Sequence, residues 1–256
     1  MITLLTDFGR SGPYVASMKG IILTVAPDAK LIDISHDIGP QNVDEAAYVL
    51  FRCYSCFPER TVHIVVIDPG VGSSRAILAV RAADQVFLAP DNGVLKYIFD
   101  AHPDFKAYSV TNQAFFRQTV SRTFHGRDIF APLAARLELG EPVEAVGPAC
   151  RPAHPGEVAR PVKEGNSLNG EIVYIDRFGN GVTNIPGEWL EGRRVRTVKC
   201  REVSLRKVSK SYNDVGAGET LALTGSMGTV ELSVRCGSAK EQLALNVRDR
   251  ISITLQ

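Results

Sequence analysis

A chain of 256 residues with 45% hydrophobic and 22% charged residues has the make-up of an ordinary packed protein, which excludes a disordered or fibrous one. The formal net charge of +1 provides no basic field for a phosphate backbone, so nucleic acid is not an expected partner. No apolar run approaches membrane-spanning length, and the N-terminal ITLLTDFG lacks the basic flank and apolar core of a signal peptide, so no membrane partner and a cytoplasmic location are expected.

Short apolar runs alternate with amphipathic stretches through the first half. Residues 2–5, 31–34, 62–67, 77–80 and 86–88 read as strands, with crossover helices over 14–25 and 43–57. Strand, helix, strand, helix, strand predicts a parallel sheet, while the close spacing around residues 83–85 admits a hairpin. Helices are expected over 93–99 and 129–139. Pro142, Pro148, Pro152, Pro155 and Pro161 interrupt any regular pattern from Gly140 to Asn169 and place a linker there. Beyond it, residues 170–175, 195–203, 220–224, 229–234 and 250–255 are β-like and separated by Gly, Asn and Asp turns. The expected fold is therefore α/β over 1–150, a mostly parallel sheet flanked by helices, then a linker over 151–168. A smaller all-β, barrel-like domain is expected over 169–256.

Five cysteines are scattered along the chain, and the close pair Cys53 and Cys56 falls in a stretch of helical periodicity. Reduced, buried thiols are expected, because no second pair completes a metal-ligand spacing.

Asp7 follows the first strand in TDFG and Asp68 follows the third in VVIDPGVG, so both are expected at the carboxyl edge of the sheet, where such sheets bind ligands. A carboxylate accepts two parallel hydrogen bonds, which suits a vicinal diol; the alternative is that each aspartate caps the turn after it. Gly70 and Gly72 let the backbone approach a ligand closely, and Arg75 is either part of that site or a solvated charge at a strand start. His125, in FHGRDIF, stands just before a helix that Asp128 would cap, and imidazole suits proton transfer near neutrality. His36 is the other histidine candidate. Asp176, Phe178, Asn180 and Asn184 cluster after a strand in YIDRFGNGVTN, where an aromatic face and an amide suit a purine, although the same residues make an ordinary β-turn. Ser226, between glycines in TGSMG, forms a small anion-compatible loop.

Taken in order, TDFG, ISHDIGPQNVDEAAYVL, VIDPGVGSSR, APDNG, FHGRDIFAP, IDRFGN and GSMGTVELSV resemble the S-adenosylmethionine hydrolase family, also called S-adenosylmethionine hydroxide adenosyltransferases, which is related to the fluorinating and chlorinating enzymes. The resemblance runs over nearly the whole chain. It implies hydrolysis of S-adenosyl-L-methionine to adenosine and L-methionine; no cofactor and no metal are expected, because no metal-ligand cluster is apparent in the sequence. It also implies a homotrimer whose active sites lie between the N-terminal domain of one subunit and the C-terminal domain of its neighbour. By the same resemblance Asp68, Arg75 and His125 hold and activate water, and Asp7 binds the ribose hydroxyls. Asp176 and Ser226 take the methionine ammonium and carboxylate, and Phe178 and Asn180 lie against the nucleoside. Met227 departs from the small or basic residue expected beside the serine.

Three competing readings remain at this level. A halogenase would use halide in place of hydroxide, in a dry pocket of neutral donors, which the ionisable set Asp68, Arg75 and His125 opposes. A binding protein for S-adenosylmethionine or adenosine would not need that set. A metal-dependent hydrolase using Asp7, His36, Asp68 and His125 lacks close metal-ligand spacing.

Overall fold

The computed structural model describes residues 1–256, which divide into two compact units, Met1–Val158 and Ala159–Gln256. In the first unit the chain runs β1 (Ile2–Thr6), α1 (Tyr14–Val25), β2 (Leu31–Ser35), α2 (Val43–Cys53), β3 (Val62–Val66), β4 (Ile77–Ala82), β5 (Gln85–Pro90), α3 (Lys96–Ala101), β6 (Lys106–Ser109), α4 (Ala131–Glu138) and β7 (Ala149–Cys150). A π-helical turn, Gly126–Phe130, leads directly into α4.

The strands form one seven-stranded sheet of order β2-β1-β3-β5-β4-β6-β7. The apolar runs of its central strands β1, β3 and β5 are nearly continuous because both faces are covered there, so neither parity of the strand has water to face. Ile2, Leu4, Ile64 and Val66 pack with Met18 and Ile22 of α1 and Leu133 of α4. Leu5, Val65 and Phe87 pack on the other face with Leu50 of α2 and Ile98 of α3.

The sheet is mixed rather than mostly parallel, which corrects the sequence expectation. Strands β2, β1, β3 and β5 run parallel, but β4, β6 and β7 join by antiparallel ladders. The cause is local: Ala83 and Asp84, at φ 51° and 55°, make a two-residue reverse turn whose left-handed residues match the strand twist, so β4 and β5 form a hairpin. Strand β6 carries little sequence signal, because four residues with a lysine at the start show little periodicity.

The second unit contains β8 (Val162–Glu164), β9 (Ser167–Ile175), β10 (Gly181–Pro186), β11 (Val195–Cys200), β12 (Val203–Leu205), β13 (Thr220–Thr224), β14 (Thr229–Val234), α5 (Ala239–Gln242) and β15 (Arg250–Leu255). All its strand pairs are antiparallel, in the order β12-β11-β15-β9-β10-β14-β13 with β8 on β9. Strand β9 pairs with β15 through Ser167–Glu171 and with β10 through Ile172–Ile175, so one long strand carries the sheet round a single core. The result is nearly barrel-shaped. At the bend, a Cβ on Gly170 would lie 2.3 Å from Asn184 Oδ1, so only glycine lets β10 approach.

No helix is long and apolar enough to cross a membrane. All five cysteines are free, but only Cys200 is buried; Cys56 and Cys236 are exposed, against the expectation of burial for all.

Candidate active site

Asp68 and Arg75 bracket the loop between β3 and β4. The loop folds on its own polar groups: Asp68 Oδ1 accepts from Gly70 N–H at 3.2 Å, and Ser73 Oγ donates to the Gly70 carbonyl at 2.7 Å. This returns the chain so that Arg75 faces Asp68. The guanidinium grips the carboxylate with both edges, Nε to Oδ1 at 2.9 Å and Nη2 to Oδ2. The side chains of Asp68 and Arg75 are only 4% and 9% exposed, so each charge has lost most of its water and depends on the other. Arg75 is therefore not a solvated strand-start charge.

His125 arrives from a distant part of the chain, and its Nδ1 lies 3.1 Å from Arg75 Nη2. A guanidinium only donates, so Nδ1 is the acceptor and the proton of the neutral ring sits on Nε2. The His125 pKa is lowered from its usual 6.5, first by burial and then by the Arg75 charge, with Asp68 and Asp128 opposing. The imidazole is thus held neutral near physiological pH.

Asp7 directly follows β1, the parallel neighbour of β3, which puts it on the same carboxyl edge of the sheet as Asp68. Its Oδ2 accepts from Gln41 N–H at 2.8 Å. His36 is buried and bonded through Nδ1 to Thr6 Oγ1 at 2.8 Å, a support under the end of β1 and not part of the Asp68 cluster. His63 is likewise structural: Thr3 Oγ1 lies 2.7 Å from its Nδ1 and Gln85 Oε1 3.2 Å from its Nε2, and burial pushes its pKa down to about 4.

In the second unit Asp176 organises the β9–β10 turn. Its Oδ1 accepts from Phe178 N–H at 2.9 Å and Asn180 N–H at 2.8 Å, and its Oδ2 from Asn180 Nδ2 at 2.9 Å. Asn180 is buried and bonded to Asp176, whereas the Phe178 ring is 75% exposed, a large apolar face left to solvent. Ser226 is exposed on the β13–β14 turn, which abuts the far end of β10 through Gly187 N–H to Gly228 carbonyl at 2.8 Å. The structure therefore brings Asp176, Phe178 and Asn180 together and keeps Ser226 on a separate turn. Between the two turns lies buried Glu231, which accepts from Tyr212 Oη; burial and this carboxylate push the Tyr212 phenol up to about 12. Sequence reading passed over Glu231, although a glutamate alternating with Val230 and Leu232 in a strand was a visible signal.

Asp128 also departs from the sequence expectation. It does not cap a helix beginning beside it; it lies within the π turn, whose N-cap is His125, and its carboxylate accepts Ser121 N–H from the preceding loop at 2.9 Å. No group of three or more His, Cys, Asp or Glu side chains converges as a metal would require.

The family model for the SAM hydroxide adenosyltransferase N-terminal domain matches residues 2–147, and that for the C-terminal domain matches residues 170–252. The chain is 35% identical to an (R)-S-adenosyl-L-methionine hydrolase of Salinispora tropica, over 99% of this chain and 97% of the relative. It is 34% identical to the protein of that name from Thermus thermophilus, over 95% of each. A fluorinase of Nocardia brasiliensis is 28% identical over 93% of this chain and 91% of the relative. An uncharacterized conserved protein from Thermotoga maritima has the same fold, with a TM-score of 0.92 at 37% identity over 99% of this chain and 100% of that one. With both family models matched in order along one chain, the protein belongs to the SAM hydroxide adenosyltransferase family.

Proposed function

We propose that the protein hydrolyses S-adenosyl-L-methionine to adenosine and L-methionine, by in-line attack of an activated water on the ribose C5′ carbon. The observation that carries this reading is the buried link from Asp68 through Arg75 to His125, in a chain whose full-length relatives bear the hydrolase name. A new C5′–O bond forms as the C5′–S bond breaks, and its electron pair goes to sulfur, which leaves as a neutral thioether. One water proton is released. Attack by an anion on a sulfonium removes charge, so a poorly hydrated site favours it.

Arg75 uses Nε and Nη2 on Asp68 and His125, which leaves the two N–H groups of Nη1 for the nucleophile. Together with His125 Nε2–H they form a set of donors suited to a developing hydroxide. His125 has its proton on Nε2 and its lone pair on Arg75, so Asp68 is the better proton acceptor of the two. Asp7 takes the ribose hydroxyls. Asp176 and Ser226 take the ammonium and carboxylate of the methionine end, and Phe178 and Asn180 lie against the nucleoside.

In this reading residues 1–150 form the α/β domain, 151–168 the linker and 169–256 the barrel domain. The active assembly is a cytoplasmic homotrimer that pairs the first domain of one subunit with the second of its neighbour. It works without a resident cofactor, and neither nucleic acid nor membrane is a partner.

The test is to incubate purified protein with S-adenosyl-L-methionine, with and without chelator and chloride, and to separate the nucleoside products. Adenosine that persists in chelator and disappears in Asp68→Ala supports the reading. Chlorinated nucleoside would indicate halogenation, as in the fluorinase-named relatives; loss in chelator would indicate a metal enzyme; tight binding without product would indicate a binding protein.

A further inference from the structure

The side chain of Asp128 is fully buried and bonded on every side. Arg117 Nη1 and Arg127 Nε donate to its Oδ1 at 2.9 and 2.7 Å, and Arg127 Nη2 and Ser121 N–H donate to its Oδ2, both at 2.9 Å. These four bonds hold the carboxyl down to about 2 against the burial that raises it. The backbone of the same residue is engaged as well. Pro132 has no N–H, so the Asp128 carbonyl has no i+4 helical donor, and it accepts Arg117 N–H at 2.9 Å instead. Asp128 N–H donates to the Phe124 carbonyl at 3.2 Å. One residue thus ties the 117–124 loop to the π turn at both ends, and His125 is the residue where loop becomes helix.

A second contact joins this assembly to the Asp68 loop. Gly72, at φ 79°, lies so close to the loop that a Cβ would stand 2.4 Å from the Arg122 carbonyl oxygen. The two loops touch through backbone, with no side chain between them to absorb an error. A π turn is an inserted residue kept at a cost in helix geometry, a feature concentrated at functional sites.

We propose that Asp128 is a positioning residue for the reaction, holding His125 at the distance and angle at which its Nδ1 accepts from Arg75. This rests on the reading of His125 given under Proposed function. The groups facing His125 are Arg75 and Asp68 from the β3–β4 loop and Asp128 from the π turn, with Arg117 and Arg127 paired to Asp128. Removing the Asp128 charge leaves those two arginines uncompensated. The His125 pKa then falls further, and the acid limb of the kcat/KM profile moves to lower pH.

The experiment compares wild type, Asp128→Asn and His125→Ala for kcat, KM, the pH profile and the imidazole titration of His125 by NMR. The expected result for folded Asp128→Asn is a kcat reduced at least tenfold, KM changed less than about twofold, and both the acid limb and the His125 titration displaced downward. A folded Asp128→Asn with wild-type kcat and profile, alongside an inactive His125→Ala, overturns the proposal and leaves the site reading intact. Full activity in His125→Ala overturns both. If Asp128→Asn does not fold, Gly72→Ala and Arg117→Met replace it. Arg117→Met removes a positive charge and is expected to lower kcat with the His125 titration displaced upward, and Gly72→Ala to lower kcat alone; wild-type kcat in both overturns the proposal.

Discussion

Asp68 and Asp176, one carboxylate from each unit, are satisfied in opposite ways. In the N-terminal unit Asp68 is held by Arg75, seven residues away, and Arg75 by His125, 50 residues further on, so the cluster exists only when two loops are docked. In the C-terminal unit the Asp176 carboxylate takes its bonds from Phe178 and Asn180 within its own turn. The first arrangement places opposite charges out of water, where field effects on a reacting centre are large. The second rigidifies a surface turn and presents an aromatic ring. Chemistry is thus expected to fail when the first is disturbed, and binding when the second is.

Arg75→Met should have the largest effect. It strands a buried carboxylate and removes the donor to His125, so turnover should fall by about a thousandfold or more, with stability lower by roughly 3 kcal/mol. Single-turnover kinetics and denaturant unfolding measure the two. A variant retaining a tenth of the activity would break the comparison, because the docked charges would then be a structural pair only.

Next are the two histidines with lowered pKa. His63 stays neutral in the fold until about pH 4, while the unfolded chain takes up its proton near 6.5. Its contribution to stability is therefore complete above about pH 6.5 and lost progressively down to about 4, on the order of 3 kcal/mol in all. His63→Gln should flatten that part of the stability curve, followed by thermal unfolding against pH. His125 should show the same sign in activity: protonation at Nδ1 ejects Arg75, so kcat/KM should decline through a midpoint below 6.5.

Asp176→Ala should raise KM by roughly tenfold with a much smaller change in kcat, and should cost about 1–2 kcal/mol as the turn loses its acceptor. An equal loss in kcat would place Asp176 with the reacting groups. Phe178→Ala should do least, with stability unchanged within about 0.5 kcal/mol since the ring is already in water, and KM raised a few-fold.

This contrast also explains what was legible in the sequence. Helix α1 is found over the residues its amphipathic pattern marked, and β13, β14 and β15 over the runs their turns bounded, because those signals are local. The parallel half of the sheet followed from alternation of strand and helix; the β4–β5 hairpin that starts its antiparallel half was admitted by the close spacing around residues 83–85, but Ala83 and Asp84, neither a glycine nor an asparagine, did not decide it. The Asp176 turn was readable as a turn. That Arg75 bridges Asp68 and His125 was not, since nothing in local spacing relates residue 75 to residue 125. Only the motifs shared with a known family placed them in one set. Asp128 departs from the cap expectation for a related reason: a cap is a local inference, whereas Arg117 and Ser121, which share its carboxylate with the adjacent Arg127, come from the preceding loop that folds back onto the π turn.

The most direct test of the account is hydrolysis of S-adenosyl-L-methionine in water enriched in oxygen-18, with mass spectrometry of both products. Attack on C5′ predicts one labelled oxygen in adenosine and none in methionine, with no labelled adenosine from Arg75→Met. Unlabelled adenosine, or labelled adenosine in equal amount from that variant, would contradict water activation by the Asp68, Arg75 and His125 cluster.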